Sequence, residues 1–143
     1  MTLVGDTGNG ATFTLATQTA ASALRIEKIT IGEIALDMLD VSVLATSAMQ
    51  ERVCSDLAKP GDITIDFVYS ATATAINITN AVDTATITFP VGVGQTTTTG
   101  ATYVASGYVT KTKLPDPQNG NVMKGQIVFS PDGNTGPTYT RGS

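Results

Sequence analysis

The acidic residues Asp62 and Asp66 are the pair whose spacing comes closest to a catalytic arrangement. Both lie on the polar face of an alternating stretch, residues 62–69, in which Ile63 and Ile65 occupy the opposite face. Four residues of extended strand separate their α-carbons by about 13 Å. That distance is too long for the carboxylate pair of a retaining glycosidase, and long even for an inverting one. We therefore interpret both as solvated or lumen-facing acids.

Other kinds of catalytic or metal site lack their essential residues. The chain has no His and a single Cys, which excludes the usual zinc sites and every His-dependent triad. Cys54 has no imidazole to activate it, so we interpret it as a plain thiol. Residues 116–121 do not have the spacing of a calcium loop and fit a hairpin turn better. The sequence predicts no catalytic, metal-binding or cofactor-binding residue, and an enzyme is the least favoured class.

The composition indicates a single β-rich domain. The chain has 143 residues, of which 14% are charged and 25 are Thr. Thr, Val and Ile favour strands, and a length of this order can bury a real core. So few charges protect a surface poorly against association, which suggests that other subunits cover much of it. Alternatively, Thr, Ser and Asn solvate the surface, and composition alone leaves both interpretations open.

The charge balance argues against a protein that grips nucleic acid. The net charge is −4, and the eight basic residues are scattered along the sequence. Phosphate binding needs clustered Lys and Arg, so DNA is expected at most as a non-specific passing cargo. The first residues lack the features of a signal peptide, and no apolar run is long enough to span a bilayer. We expect synthesis in the cytoplasm and no membrane insertion.

Alternation of apolar and polar residues predicts several of the strands. It does so in residues 11–17, 62–69 and 84–89. Residues 101–113, with Tyr103, Tyr108 and Val109 distributed over both faces, are predicted as a long strand, and residues 122–130 as the strand that returns after a hairpin connection. Residues 24–44 also have a β pattern, but its parity shifts, which predicts breaks near Lys28 and within residues 32–39. We expect a mainly β domain, an antiparallel β-sandwich or small barrel with at most one short helix. A flexible N-terminal arm at about 1–10 and a C-terminal tail at about 131–143 would flank it.

Residues 46–59 are ambiguous between a long inter-strand loop and a short helix. Met49, Val53 and Leu57 recur at helical spacing, and Ser47 with Gln50 could form a capping box. A loop of this length is unusual in so small a domain unless it folds on itself or meets a partner. The sequence leaves the helix and the loop open.

Several stretches of the chain resemble the major tail tube proteins of long-tailed, siphovirus-like bacteriophages. They are the Gly-rich start at residues 8–13, Leu-Asp-Val-Ser at 39–42 leading into the charged loop, Lys-Pro-Gly-Asp-Ile-Thr-Ile at 59–65, and the strand pair 103–110 and 127–130. The resemblance covers most of the chain in the order of its elements.

The resemblance implies a structural virion protein. In that family, a β-sandwich or small barrel with one flanking helix forms hexameric rings, which stack into a hollow tail tube. The inner wall of the tube is a continuous β-barrel, and DNA passes through it during ejection. The expected partners are other copies of the chain and the tape measure, terminator and baseplate proteins of the tail.

The same resemblance assigns roles to individual residues. Residues 46–59 would contact a neighbouring subunit or ring, through Ser47, Met49, Gln50, Glu51, Arg52, Val53, Asp56, Leu57 and Lys59. Asp62 and Asp66 would face the lumen, where acidic side chains repel phosphate.

Two other classes share the β-rich, weakly charged signature. One is another virion or surface structural subunit, such as a tail terminator, a decoration protein or a pilus-like protein. The other is a carbohydrate-binding β-sandwich module, which is disfavoured because the chain has no Trp and only four Tyr to stack on sugars.

Overall fold

The fold is built from antiparallel β-strands, as the sequence predicts. The computed structural model describes residues 10–19, 24–43, 49–68, 76–78, 80–91, 99–134 and 136–142, and these contain no α-helix. Nine strands occur in them: β1 (Thr12–Leu15), β2 (Arg25–Ile31), β3 (Ala35–Asp40), β4 (Arg52–Lys59), β5 (Ile63–Val68), β6 (Asp83–Thr88), β7 (Thr102–Lys113), β8 (Lys124–Pro131) and β9 (Thr138–Thr140).

A seven-stranded sheet forms the body of the domain. Its strand order is β1-β6-β7-β8-β5-β2, and β9 also pairs with β7. The alternation seen in the sequence decides which face is inward, since β5 and β6 both alternate between buried and half-buried residues. The register then places inward residues of neighbouring strands side by side, as in the pairs Ile63 with Phe129 and Ile87 with Tyr103.

The hydrophobic core lies on one face of this single sheet. Five strands and one connecting segment supply its residues: Phe13, Leu15, Ile63, Ile65, Phe67, Ile76, Ala85, Ile87, Tyr103, Ala105, Val109, Ile127 and Phe129. Ile63, Ile65 and Phe129 are completely buried, so the sheet must coil around its own inner face.

The coiled sheet is not closed into a barrel. The edge strand β2 lines a cavity of about 500 Å³ together with Gly10 and Ala11, which precede the other edge strand, β1. Ile26, Ile29, Ile31, Ile87 and Phe89 line the apolar part of this cavity. The expectation of a mainly β, antiparallel domain is confirmed: the described residues form sheets of seven and two strands, and the larger sheet is open.

The smaller sheet corrects the interpretation of residues 46–59. Arg52–Lys59 is neither helix nor loop but strand β4, which pairs antiparallel with β3. The register is irregular between Leu36 and Met38, whose partners Ala58 and Cys54 lie four residues apart. Val53 and Leu57, four residues apart, can share one face of a strand as well as one face of a helix, so their spacing did not distinguish the two.

The C-terminal region was also predicted wrongly. Strand β8 extends to Pro131, and β9 pairs with the first part of β7 instead of belonging to a tail. The ring of Tyr139 packs edge-on against Phe89, with 6.0 Å between centroids. Of the predicted N-terminal arm, residues 1–9 lie outside the described residues.

Candidate assembly interface

Strands β3 and β4 continue the β2–β5 pair beyond the body of the domain. The two connections cross at Gly32 and Gly61, and the Gly32 amide donates a hydrogen bond of 2.8 Å to the carbonyl of Asp62. A β-carbon added to Gly61 would lie 2.5 Å from the backbone carbon of Gly32, so neither position has room for a side chain. We call the described residues 33–43 and 49–60 the projecting hairpin.

The projecting hairpin is held together by its own hydrogen bonds. Beyond β3, the Val41 amide donates to the Glu51 carbonyl at 3.0 Å, and the Glu51 amide donates to the Ser42 hydroxyl at 2.8 Å. At the other end, Lys59 forms an exposed ion pair with Asp37. Two-stranded hairpins are marginally stable by themselves in water, so these contacts alone do not explain a stable projection.

Both faces of the projecting hairpin are exposed. Every residue of β3 is exposed, and in β4 only Ser55 is partly covered. Nine of the fifteen large hydrophobic residues that are exposed in the described part of the chain belong to it: Ile34, Leu36, Met38, Leu39, Val41, Val43, Met49, Val53 and Leu57. An apolar surface concentrated in this way is typical of an interaction site.

The projecting hairpin and its base are also acidic. Residues 32–62 contain six acidic and two basic residues, a net charge of −4. Hydrogen bonds to the carboxylate of Asp40 lower its pKa, and the largest contribution comes from the Ser42 amide at 2.8 Å. Asp40 therefore stays ionised further into the acid range than an ordinary aspartate.

The residues predicted to contact a neighbour fall on this hairpin, with one exception. Strand β4 contains Arg52, Val53, Asp56, Leu57 and Lys59, and it is preceded by Met49, Gln50 and Glu51. The exception is Ser47, which lies outside the described residues. Their role in subunit contacts remains a prediction.

Strand β3 forms the other half of this surface, and none of its residues was predicted to contact a neighbour. It contributes Leu36, Met38 and Leu39, each about half exposed. The available signal was the parity shift in residues 32–39, which marks the point where the chain leaves the body.

The two acids predicted to face a lumen have different surroundings. Asp62 is exposed at the base of the projecting hairpin. Asp66 is half-buried on the outer face of β5, where the side-chain amide of Gln126 donates a 2.9 Å hydrogen bond to it. Lys28 on β2 is the cross-strand partner of Asp66. Whether either acid faces a lumen remains a prediction.

Neither a metal cluster nor a membrane helix is found in the part of the chain that the structure describes. Among those residues, no three His, Cys, Asp or Glu side chains are grouped so as to hold a metal ion. None of the described segments is a helix with the length and apolar character needed to cross a membrane.

Comparison with known proteins adds no assignment. No protein-family model matches the chain, and no curated protein matches it. Its function has to be argued from the hairpin and the sheet themselves.

Proposed function

We propose that this chain is a structural subunit that associates with copies of itself through the projecting hairpin. The observation that supports this most strongly is the concentration of exposed apolar side chains on a two-stranded sheet that covers nothing in its own domain. Burying nine such side chains against another subunit would supply the stability that an isolated hairpin lacks.

The form of assembly that we propose is the hollow tail tube of a long-tailed bacteriophage. Its support is the resemblance of the sequence to major tail tube proteins, together with a mainly β fold and a projection able to reach a neighbour. Copies of the chain would form stacked hexameric rings in the virion tail, with DNA as passing cargo. The tape measure, terminator and baseplate proteins would be the partners at its ends.

A different structural subunit of a virion or cell surface is the second candidate. The observation that favours it is the partly apolar cavity beside the edge strand β2. The edge strands β1 and β2 pair with each other at no described position. Pilus-like subunits use such a gap to accept a strand from a neighbour. In that case a peptide that fills the gap should block assembly, whereas hairpin variants should not.

Sedimentation velocity over a concentration series tests the proposal. We expect the intact chain to form larger species as concentration rises. The double variant Leu39→Ser/Val53→Ser, which changes a cross-strand pair of the hairpin, should remain monomeric. As a matched control, Ile78→Ser/Val82→Ser removes two equally exposed apolar side chains elsewhere and should sediment like the intact chain. Equal association of all three proteins would reject the hairpin as the contact surface.

A further inference from the structure

Basic residues that are scattered in the sequence come together on the outer face of the large sheet. The register aligns Lys28, Asp66, Gln126 and Lys113 in one row across four strands. On the same face, the neighbouring row toward the hairpin contains Lys111. The neighbouring row in the other direction contains Arg25 and Lys124, which both pair with Val68. Five of the eight basic residues thus share this surface, which we call the basic patch: Arg25, Lys28, Lys111, Lys113 and Lys124.

The basic patch has a recess and an apolar margin. A groove of about 620 Å³ is lined by Lys28, Asp66, Lys113, Lys124 and Gln126, among others. The turn that joins β7 to β8 leaves Leu114 and Val122 exposed beside it, each 65% exposed.

The patch keeps a positive charge after its internal ion pairs are counted. Lys124 pairs with Glu27 at 2.9 Å, and Lys113 pairs with Asp116 at 2.6 Å. Together with Asp66, these acids leave a net charge of +2 on a protein whose overall charge is −4. Lys28 and Lys111 form no ion pair with any described residue.

Most of the basic patch lies away from the end of β2 and β5 at which the projecting hairpin leaves; only Lys111, in the row of Thr30 and Thr64, is level with that end. The hairpin leaves β2 after Ile31, while Arg25 and Lys28 lie toward the start of that strand. At the usual rise of a strand, the hairpin base is about 13 Å from Lys28 and about 23 Å from Arg25. Contact between a hairpin and a patch is therefore suited to two different copies.

We propose that the basic patch is the docking site for the projecting hairpin of a second copy. This rests on the proposed function, because it specifies the surface that receives the hairpin. The complementarity is twofold: an acidic apolar hairpin would meet a basic groove with the apolar margin of Leu114 and Val122. Because the two surfaces differ, each copy can insert its hairpin into one neighbour and accept the hairpin of another, and the contact is head-to-tail.

A nucleic acid fits the patch less well than the hairpin does. After Glu27, Asp66 and Asp116 are counted, the patch has a net charge of only +2, which is small for a surface that binds a phosphate backbone. The exposed apolar side chains at the margin also have no counterpart on a phosphate backbone.

Charge reversal with complementation tests the docking site. The hairpin variant Glu51→Lys/Asp56→Lys and the patch variant Lys28→Glu/Lys111→Glu each place like charges at the proposed contact. Each variant alone should need a concentration at least about tenfold higher to assemble, because like-charge contacts are penalised at interfaces. Their equimolar mixture should assemble almost as well as the intact chain, since the reversed hairpin fits the reversed patch and the native hairpin fits the native patch.

The charge-reversal variants need controls, and specific outcomes would overturn the proposed docking site. Circular dichroism must show both variants folded, and Arg141→Glu, a reversal outside the patch, should assemble normally. Assembly of the patch variant at native concentrations would overturn the proposal, as would failure of the mixture of folded variants to recover. Native binding to duplex DNA that the patch variant loses, with assembly unchanged, would assign the patch to nucleic acid instead.

Disulfide trapping tests the same contact without requiring tubes. Cys54 is the only cysteine and is exposed on β4, so Gln126→Cys adds a partner in the groove. Head-to-tail contact predicts a ladder of dimers, trimers and larger species under mild oxidation, which Cys54→Ser should reduce to dimers at most. Thr14→Cys, on the outer face of β1, is the matched control and should give no ladder beyond dimers.

The two assays separate failure of this inference from failure of the proposed function. A native chain that assembles, while Gln126→Cys gives no ladder, overturns the docking site and leaves self-assembly through the hairpin intact. If the native chain does not assemble and Gln126→Cys gives no ladder, both the docking site and the proposed function are contradicted.

Discussion

Excision of the projecting hairpin should leave a folded domain that no longer self-associates. Replacing residues 33–60 with Asn-Gly joins Gly32 to Gly61, which already lie in backbone contact. The resulting five-residue loop connects Ile31 to its cross-strand partner Ile63 and keeps the hydrogen bond from the Gly32 amide to Asp62. A short loop between paired strands is an ordinary hairpin connection.

The structure predicts the size and sign of the stability change. No residue of the hydrophobic core lies within the excised segment, so core burial is unchanged. Shortening the connection between Ile31 and Ile63 from 31 residues to five lowers the entropy cost of loop closure by about 1.5 kcal/mol. The free energy of unfolding should therefore be equal to that of the intact chain or higher by up to about 1.5 kcal/mol.

Urea unfolding and sedimentation velocity of the excised protein measure both consequences. We expect a cooperative transition at an equal or higher midpoint and a monomer at every concentration. A loss of more than about 2 kcal/mol would refute the view that the body folds without the hairpin, because surface changes rarely cost so much. Concentration-dependent association of the folded variant would refute the role of the hairpin.

Three further substitutions test the account of the body. Gly61→Ala should destabilise by about 1–3 kcal/mol in urea unfolding, because its β-carbon would meet the Gly32 backbone; an unchanged midpoint would contradict the close crossing. Asp83→Asn should lower the free energy of unfolding by about 1–3 kcal/mol, because the buried carboxylate accepts amide hydrogen bonds at 2.8 Å from both Thr17 and Thr84. The control Asp116→Asn, on the surface, should leave the free energy of unfolding nearly unchanged. Tyr103→Phe should be neutral or stabilising, because the buried hydroxyl has no hydrogen-bond partner among the described residues. Burial raises the pKa of Tyr103 above 10.0, so the native state disfavours its ionisation, and stability should fall as pH rises beyond 10 in the native chain more steeply than in Tyr103→Phe.

Several strands of the large sheet could be predicted because they carry a regular alternation. Apolar and polar residues alternate over residues 63–67 of β5 and 84–88 of β6, and the structure alternates buried and half-buried residues in the same phase. The parity shift near Lys28 correctly located the bulge between Ile26 and Lys28. Local patterns of this kind predict the burial in the folded protein because only one face of each strand packs against the core.

The candidate interface could be predicted only in part. Strand β4 was missed because the polar Ser55 interrupts its alternation, and because Val53 and Leu57, four residues apart, fit a helix as well as a strand. The apolar residues of β3 looked like core residues, since nothing in a sequence distinguishes an apolar strand that covers the core from one that projects. The basic patch depends on the register of four strands, which brings Lys28 and Lys113 into one row, and no local pattern encodes that register.

Negative-stain electron microscopy of the purified intact chain at high concentration tests the central claim most directly. The account predicts hollow tubes of stacked rings for the intact chain, and single small particles for the variant that lacks residues 33–60. Single small particles for the intact chain at every concentration and salt would contradict self-assembly, and tubes formed by the excised variant would contradict the role of the projecting hairpin.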